Sequence, residues 1–327
     1  MKTKFLIIRF SSIGDIVLTS PVVRCLKTQY PGAEVHFLTK KRNADLLQAN
    51  PYIDKIQLYD GSISNLISDL KAEKYDYIID LHNNLRSLAV KFSLNAQSYS
   101  FNKLNFRKLL FTRFGINTMP DKHIVDRAME TLRSFNIEND GKGLDYFIPD
   151  GDEFLQDELP ENFRSGYIAL VLAGTYTTKK MPVAKYRNLI SGSNVPFVLL
   201  GGKSERILAS EILDWNTGNV VDFTGQLRIN QSASLVKKAR LVISNDTGLM
   251  HIAAAFRKKI LSVWGNTSPE FGMYPYLPGK GSEMIEVKGL GCRPCSKLGY
   301  RKCPKKHFRC MNDIQEDKII DWVKQEF

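Results

Sequence analysis

A two-domain α/β chain built on parallel sheets is what these 327 residues predict. Three features point to it. Short apolar runs alternate with segments of helical spacing along the chain. Polar turns follow several of those runs, at the strand ends where open parallel sheets bind ligands. The alternation also pauses once, at residues 139–165, where Gly141, Gly143, Pro149, Gly151 and Pro160 mix with Asp145, Asp150, Asp152, Glu153, Asp157, Glu158 and Glu161. The interdomain connection belongs there, giving domains 1–150 and 151–327.

In the first domain, Phe5 to Ile8 is a fully apolar strand. A signal peptide needs a longer apolar stretch and a cleavage site, and Arg9 interrupts this one, so residues 1–10 read as the first strand of a cytoplasmic protein. The turn Arg9-Phe-Ser-Ser-Ile-Gly-Asp15 follows, then a helix over 16–27 that Pro21 should kink or break. Asp15 near a helix start is ordinarily a capping residue. Glu34–Leu38 and Ile56–Tyr59 are strands, with helices over 42–49 and 63–71. Asp76–Asp80 is another strand, ending in Leu81-His-Asn-Asn-Leu-Arg86-Ser87. Arg86 could meet an anionic acceptor or simply be solvated. Residues 101–115 interleave Lys103, Arg107, Lys108 and Arg113 with Phe101, Leu104, Phe106, Leu110, Phe111 and Phe114. That pattern suits a membrane surface or a lipid-linked anion, against the ordinary alternative of an apolar core face and a solvated basic face. A helix follows over 123–135.

In the second domain, the strand Tyr167–Leu172 runs into Ala173-Gly-Thr-Tyr-Thr-Thr-Lys-Lys-Met-Pro182, a hydroxyl-rich turn with adjacent lysines that suits a diphosphate. The strand Pro196–Leu200 ends at Gly201-Gly202-Lys-Ser-Glu205, where a carboxylate can take ribose hydroxyls or merely start the helix 206–213. Val220–Phe223 is a further strand. Residues 241–266 then read strand, turn, helix, strand: Leu241–Ile243, Asn245-Asp246-Thr247-Gly248, a helical run through Phe256, and Ile260–Trp264. A helix N-terminus behind Asp246-Thr247-Gly248 is a phosphate site in outline, or an ordinary capped helix. His251 lies one turn deeper, on a phosphate or packed in the core.

The chain is 43% hydrophobic and 24% charged, as a globular protein is, and no apolar run approaches the roughly 20 residues that span a bilayer. Its 46 Lys and Arg against 34 Asp and Glu give a net charge of +12, which favours anionic partners: nucleotides, nucleic acid or an anionic membrane. No RNA-binding signature is present, which argues against nucleic acid. Cys25 reads as a core thiol. Cys292, Cys295, Cys303 and Cys310 are spaced C-x2-C-x7-C-x6-C with His307 between the last two, so structural zinc stands beside packing thiols and a redox pair as readings.

Five ordered motifs, from Arg9 to about Met311, resemble the heptosyltransferase family of glycosyltransferases, glycosyltransferase family 9. S-N-D-T-G-x-M-H-x-A-A-A at 244–255 is similar to its donor-nucleotide motif, and R-x-S-S-I-G-D-x-V-L-T-x-P at 9–21 to its N-terminal motif. The loop after Asp80 and the 123–135 helix also match, although His82-Asn83 stands where the family often has Gln-Gly and Met181 where it often has Trp. The resemblance implies a GT-B architecture, two Rossmann-like domains facing a central cleft. The last helix, 317–327, often returns to the first domain in such enzymes. It also implies an inverting, metal-independent glycosyltransferase of lipopolysaccharide synthesis, moving heptose from ADP-heptose to an inner-core acceptor. Asp15 would be the general base and Lys179 would hold the donor phosphates. Thr175, Glu205, Asp246, Thr247, Gly248, Leu249 and His251 would bind the donor, and Ser11, Ser12 and Arg86 the acceptor. No cofactor would be needed for catalysis. The partners would be an ADP-sugar, an anionic lipid-linked saccharide and the inner-membrane surface, with the enzyme cytoplasmic and peripheral on that membrane. The alternatives are another nucleotide sugar, a sugar-nucleotide epimerase that turns over donor alone, and a non-catalytic nucleotide- or anion-binding protein.

Overall fold

The computed structural model describes residues 2–214 and 218–327. The chain divides into two compact units, residues up to Leu104 with Lys122–Pro149, and Asn105–Asp121 with Asp150–Phe327.

The first unit runs β1 (Thr3–Ile8), α1 (Ile13–Val17), α2 (Ser20–Gln29), β2 (Ala33–Lys40), β3 (Lys55–Tyr59), α3 (Ile63–Glu73), β4 (Tyr77–Asp80), α4 (Leu85–Leu94) and β5 (Gln97–Ser100). The helix α5 (Asn105–Phe114) belongs to the second unit, and α6 (Ile124–Met129) to the first. The sheet order is β3-β2-β1-β4-β5, and its strand pairs are parallel. Parallel strands with helices on both faces are buried throughout, which is why Phe5 to Ile8 have no exposed surface. The break expected at Pro21 is real: α1 stops at Val17 and α2 starts at Ser20, placing the proline in the first turn where its missing N–H costs nothing. The helix expected over 42–49 is instead a short 3-10 turn, Lys41–Leu46.

Arg24 of α2, 3% exposed, ties this unit together. Its guanidinium forks onto Asp140 at 2.7 and 2.9 Å, pairs with Asp145 and donates to the Gly143 carbonyl at 2.9 Å. The hydrogen bonds from Arg24 hold the Asp140 carboxyl down at about 2, while burial pushes that of Asp145 up. Arg24→Met should therefore cost about 3 kcal/mol, the low end for a broken buried pair because both carboxylates keep some water. A depressed carboxyl contributes stability above its unfolded value, 3.8 here, and loses it as pH falls through the folded one. Urea midpoints should thus fall between about pH 4 and 2 in the parent, and more weakly in Arg24→Met.

The second unit continues α7 (Glu161–Arg164), β6 (Ile168–Val171), α8 (Val183–Ser193), β7 (Phe197–Leu200), α9 (Arg206–Leu213), β8 (Val220–Asp222), α10 (Ile229–Lys238), β9 (Leu241–Asn245), α11 (Gly248–Ala255), β10 (Ile260–Trp264), β11 (Glu283–Glu286), α12 (Arg309–Asn312) and α13 (Glu316–Glu326). Its sheet order is β11-β10-β9-β6-β7-β8, again with parallel pairs. The predicted α/β class with two Rossmann-like domains is the fold observed. The terminal helix α13 is part of the core of the second unit, where Ile319, Trp322 and Val323 are buried with Leu189 and Ile190 of α8. Lys185 of α8 pairs with Glu316 at its start, and an added Cβ at Gly192 would stand 2.8 Å from Ile320, so the two helices approach closely. Among the described residues, no helix is long and apolar enough to cross a membrane.

Candidate active site

Each sheet has one place where neighbouring strands leave in opposite directions along the strand order. Loops diverge there and open a crevice at the strands' carboxyl ends. In the first unit it lies between β1 and β4, and in the second between β6 and β9. The residues singled out from sequence concentrate at these two places.

In the first unit, the loop after β1 brings Asp15 into the first turn of α1. Arg9 Nη2 pairs with its Oδ1 at 2.6 Å, and Ser12 donates to its Oδ2 from the backbone at 2.9 Å and from the hydroxyl at 2.6 Å. Arg9 also reaches the carbonyls of Ser11 and of Leu81, the first residue after β4. Burial pushes the Asp15 carboxyl up, but the Arg9 guanidinium and the Ser12 donors outweigh it and hold it at about 2. The carboxylate is therefore ionised at neutral pH, oriented by three bonds, and opens on a pocket lined by Leu18, Thr19, Leu81, Phe101, Ile124 and Ala128. His82 stands edge-on to Phe10, and its Nδ1 is buried with no hydrogen-bond partner. Burial, then Arg9 and Lys103, push its imidazole down to about 4, so it is neutral. Ser11 is half-buried and Ser12 exposed. Arg86 is exposed on the first turn of α4, its guanidinium 5.7 Å from the ring centre of Tyr59.

In the second unit, the loops after β6 and β9 bring Lys179 and Asp246 together. Lys179 Nζ lies 2.6 Å from Asp246 Oδ2, and Thr267, just past β10, donates to the same oxygen at 3.1 Å. Asp246 is thus the anchor that points Lys179, rather than a group free to face a ligand. Thr247 is the N-cap residue of α11 and Gly248 its first residue, so the unpaired N–H groups of that turn sit beside the ammonium. Leu249 and His251, facing inward, are buried at 6% and 2% exposure. Glu205 is buried and fully engaged: it accepts from Lys180 Nζ at 2.6 Å, Ser204 Oγ at 2.7 Å and Gly202 N–H at 2.8 Å. Thr175 is exposed. The buried hydroxyl of that loop is Thr178, which accepts from Tyr300 N–H at 2.8 Å and donates to its carbonyl at 3.0 Å.

Sequence reasoning passes over Arg9, Lys180, Thr267 and Thr178 as individual residues. Arg9 and Lys180 carry the one usable signal, a cation adjoining a strand-end loop.

The four late cysteines and His307 line one pocket with Thr178 and Asn266, and the Cys292 sulfur lies 3.8 Å from His307 Nε2. Burial, then the neighbouring thiols, push the Cys295 thiol up to about 11 and that of Cys310 up to about 12. Among the described residues, no group of three His, Cys, Asp or Glu is placed to hold a metal ion. The zinc reading thus rests on residue types and spacing alone. What the segment does is brace the loops at the strand ends. Arg293 donates to the carbonyls of Gly265 and Thr267, and Cys295 N–H to that of Asn266. The fit is tight: a Cβ at Gly265 would stand 2.7 Å from the Thr178 carbonyl.

A family model described as glycosyltransferase family 9 (heptosyltransferase) matches residues 63–304. The chain is 24% identical to lipooligosaccharide heptosyltransferase 2 of Haemophilus ducreyi, covering 98% of this chain and 99% of that protein. It is 23% identical to lipopolysaccharide heptosyltransferase 1 of Pseudomonas aeruginosa, covering 98% and 94%. Among solved structures it is similar to a family 9 glycosyl transferase from Veillonella parvula, with a TM-score of 0.76 at 18% identity over 99% of this chain and 97% of that one. It is also similar to E. coli heptosyltransferase WaaC with ADP, with a TM-score of 0.70 at 19% identity over 99% and 100%.

Proposed function

The chain belongs to glycosyltransferase family 9, the heptosyltransferases, and from that membership we propose that it moves heptose from ADP-heptose to a lipopolysaccharide inner-core acceptor by metal-independent, inverting transfer. The observation that carries the proposal is Lys179, fixed by Asp246 at the β6–β9 crevice beside the α11 N-terminus. A donor diphosphate gains negative charge as the sugar leaves. An ammonium and a row of helix N–H groups supply the compensating positive charge without a divalent ion. The relatives' names support the substrates: several are lipopolysaccharide or lipooligosaccharide heptosyltransferases, and WaaC has been solved with ADP and with ADP-2-deoxy-2-fluoro heptose.

In this reading each unit supplies one half of the chemistry. Asp15, ionised and oriented, accepts the acceptor hydroxyl's proton as its oxygen attacks the anomeric carbon from the face opposite the diphosphate. Ser11, Ser12 and Arg86 belong to the acceptor side. Thr175, Glu205, Thr247 and Gly248 belong to the donor side, with Lys180 as the partner Glu205 must share with a ribose.

The test is thermal unfolding with ADP, UDP and GDP, in EDTA and then in Mg²⁺, followed by transfer from ADP-heptose to a heptose-free core acceptor. At 100 times its Kd, ADP should stabilise the fold by about 2.7 kcal/mol and be indifferent to EDTA. The transferred sugar should have the opposite anomeric configuration to the donor. Stabilisation by UDP or GDP alone would remove the ADP-heptose assignment, and turnover of the donor without acceptor would make the protein an epimerase.

A further inference from the structure

The helix α5 is turned the opposite way from an ordinary surface helix. It buries one aromatic side chain, Phe111, whose ring meets Phe271 edge-on at 5.7 Å. Its outward side is the apolar one. Phe106, Leu109 and Phe114, with Ile116 just beyond the helix, are 70, 53, 65 and 53% exposed. Positions 106, 109 and 113 fall on one helical face and 114 adjoins it, so exposed apolar groups surround the Arg113 guanidinium, with exposed Arg107 on the flank. Exposed apolar residues scattered singly need no explanation, but a cluster of this size on a monomer's surface does.

Charge identifies the occupant. From Asn105 to Pro120, the piece of the second unit that carries α5, the sequence has Arg107, Lys108 and Arg113 and no Asp or Glu. An apolar patch inside a purely cationic stretch repels a second copy of a chain whose net charge is already +12, and it matches a surface that is anionic outside and apolar beneath. The exposed stripe Leu85, Leu88 and Phe92 on α4 is less suited, because the neighbouring Lys91 is already paired with Asp80 at 3.2 Å.

We propose that α5 docks on an anionic phospholipid bilayer, with Phe106, Leu109, Phe114 and Ile116 in the headgroup–acyl boundary and Arg107 and Arg113 on lipid phosphates. This deepens the reading above, since a lipid-linked acceptor is met at such a surface, but it is read without any transfer reaction. The full-length protein is co-sedimented with vesicles of phosphatidylglycerol and phosphatidylethanolamine, and with pure phosphatidylcholine vesicles. Binding is expected to the first, at most weakly to the second, and to fall at roughly 0.5 M salt. The pairs Phe106→Ser with Phe114→Ser, and Arg107→Gln with Arg113→Gln, should each weaken partition about tenfold. Both should leave the melting temperature unchanged, along with transfer to a lipid-free core oligosaccharide. Equal binding to neutral vesicles, or variants that bind like the parent, would overturn the proposal. A dimer in solution that the Phe106→Ser, Phe114→Ser variant dissociates would assign the patch to a second copy instead. Loss of all transfer in the parent, with vesicle binding intact, would count against the heptosyltransferase reading alone.

Discussion

Asp15→Asn should reduce transfer by about 10²–10⁴-fold, the range that a positioned general base supplies. ADP binding should stay at the parent level, because Asp15 is engaged by Arg9 and Ser12 and is not among the residues proposed to hold the nucleotide. The amide keeps the size of the carboxylate and an oxygen for the Ser12 donors, so what is removed is the proton acceptor and the partner of Arg9. A second arm separates a base from a structural residue. With Asp15 held at about 2, kcat/KM in the parent should keep its value down to about pH 4 before this group protonates. Removing the guanidinium in Arg9→Met takes away the main force that lowers the carboxyl and leaves burial, which raises it. The acid limb of the pH–rate profile should then move upward into the ordinary carboxylate range or beyond. Transfer within about threefold of the parent in Asp15→Asn would remove the assignment, since base catalysis is worth far more than that.

Lys179→Met should lower kcat by about 10²–10³-fold, as loss of one preorganised donor to a developing oxyanion does. It should also weaken ADP binding, for a reason specific to this site. Asp246 is now paired with Lys179, and its side chain is only 14% exposed. Without the ammonium its carboxylate faces the incoming diphosphate with only the Thr267 hydroxyl on the same oxygen, and like charges repel. Adding Asp246→Asn to Lys179→Met removes that repulsion. The double variant should recover much of the ADP affinity and none of the kcat. Isothermal titration with ADP and steady-state transfer rates read the two quantities separately. Recovery of kcat in the double variant would show that Lys179 acts only by neutralising Asp246.

Much of the architecture is legible in the sequence because buried parallel strands are written as uninterrupted apolar runs. Phe5–Ile8, Ile168–Val171 and Phe197–Leu200 are such runs, and each is followed by the loop that matters. Of the four edge strands, β3 and β8 are legible and two are not. β5 is Gln-Ser-Tyr-Ser and β11 is Glu-Met-Ile-Glu; each pairs on one side only and faces water, so neither needs an apolar signature. The terminal helix shows the limit of periodicity. Ile319, Trp322 and Val323 announce a buried face, but the pattern does not say which core receives it. The same holds for α5, whose composition gives its amphipathic character but not which side is turned inward. At the site, residue types at strand ends are readable, and the partners that fix them are not. Lys179 and Asp246 are 67 residues apart, and their pairing exists only because β6 and β9 lie side by side. Thr175 reads as well as Thr178, and only packing against Tyr300 distinguishes them.

The membership of α5 in the second unit has a consequence for how the chain is made. Phe111 leaves the ribosome 160 residues before Phe271, the ring it packs against. At roughly 5–20 residues per second, that interval is about 10–30 s, ample time for the first unit to begin folding. The second unit's earliest piece is thus synthesised inside the first, between Leu104 and Lys122, and waits for its remainder with an aromatic ring uncovered. A gene fragment cut at the interdomain connection would encode the second unit without that piece, and Phe271 would lose its cover.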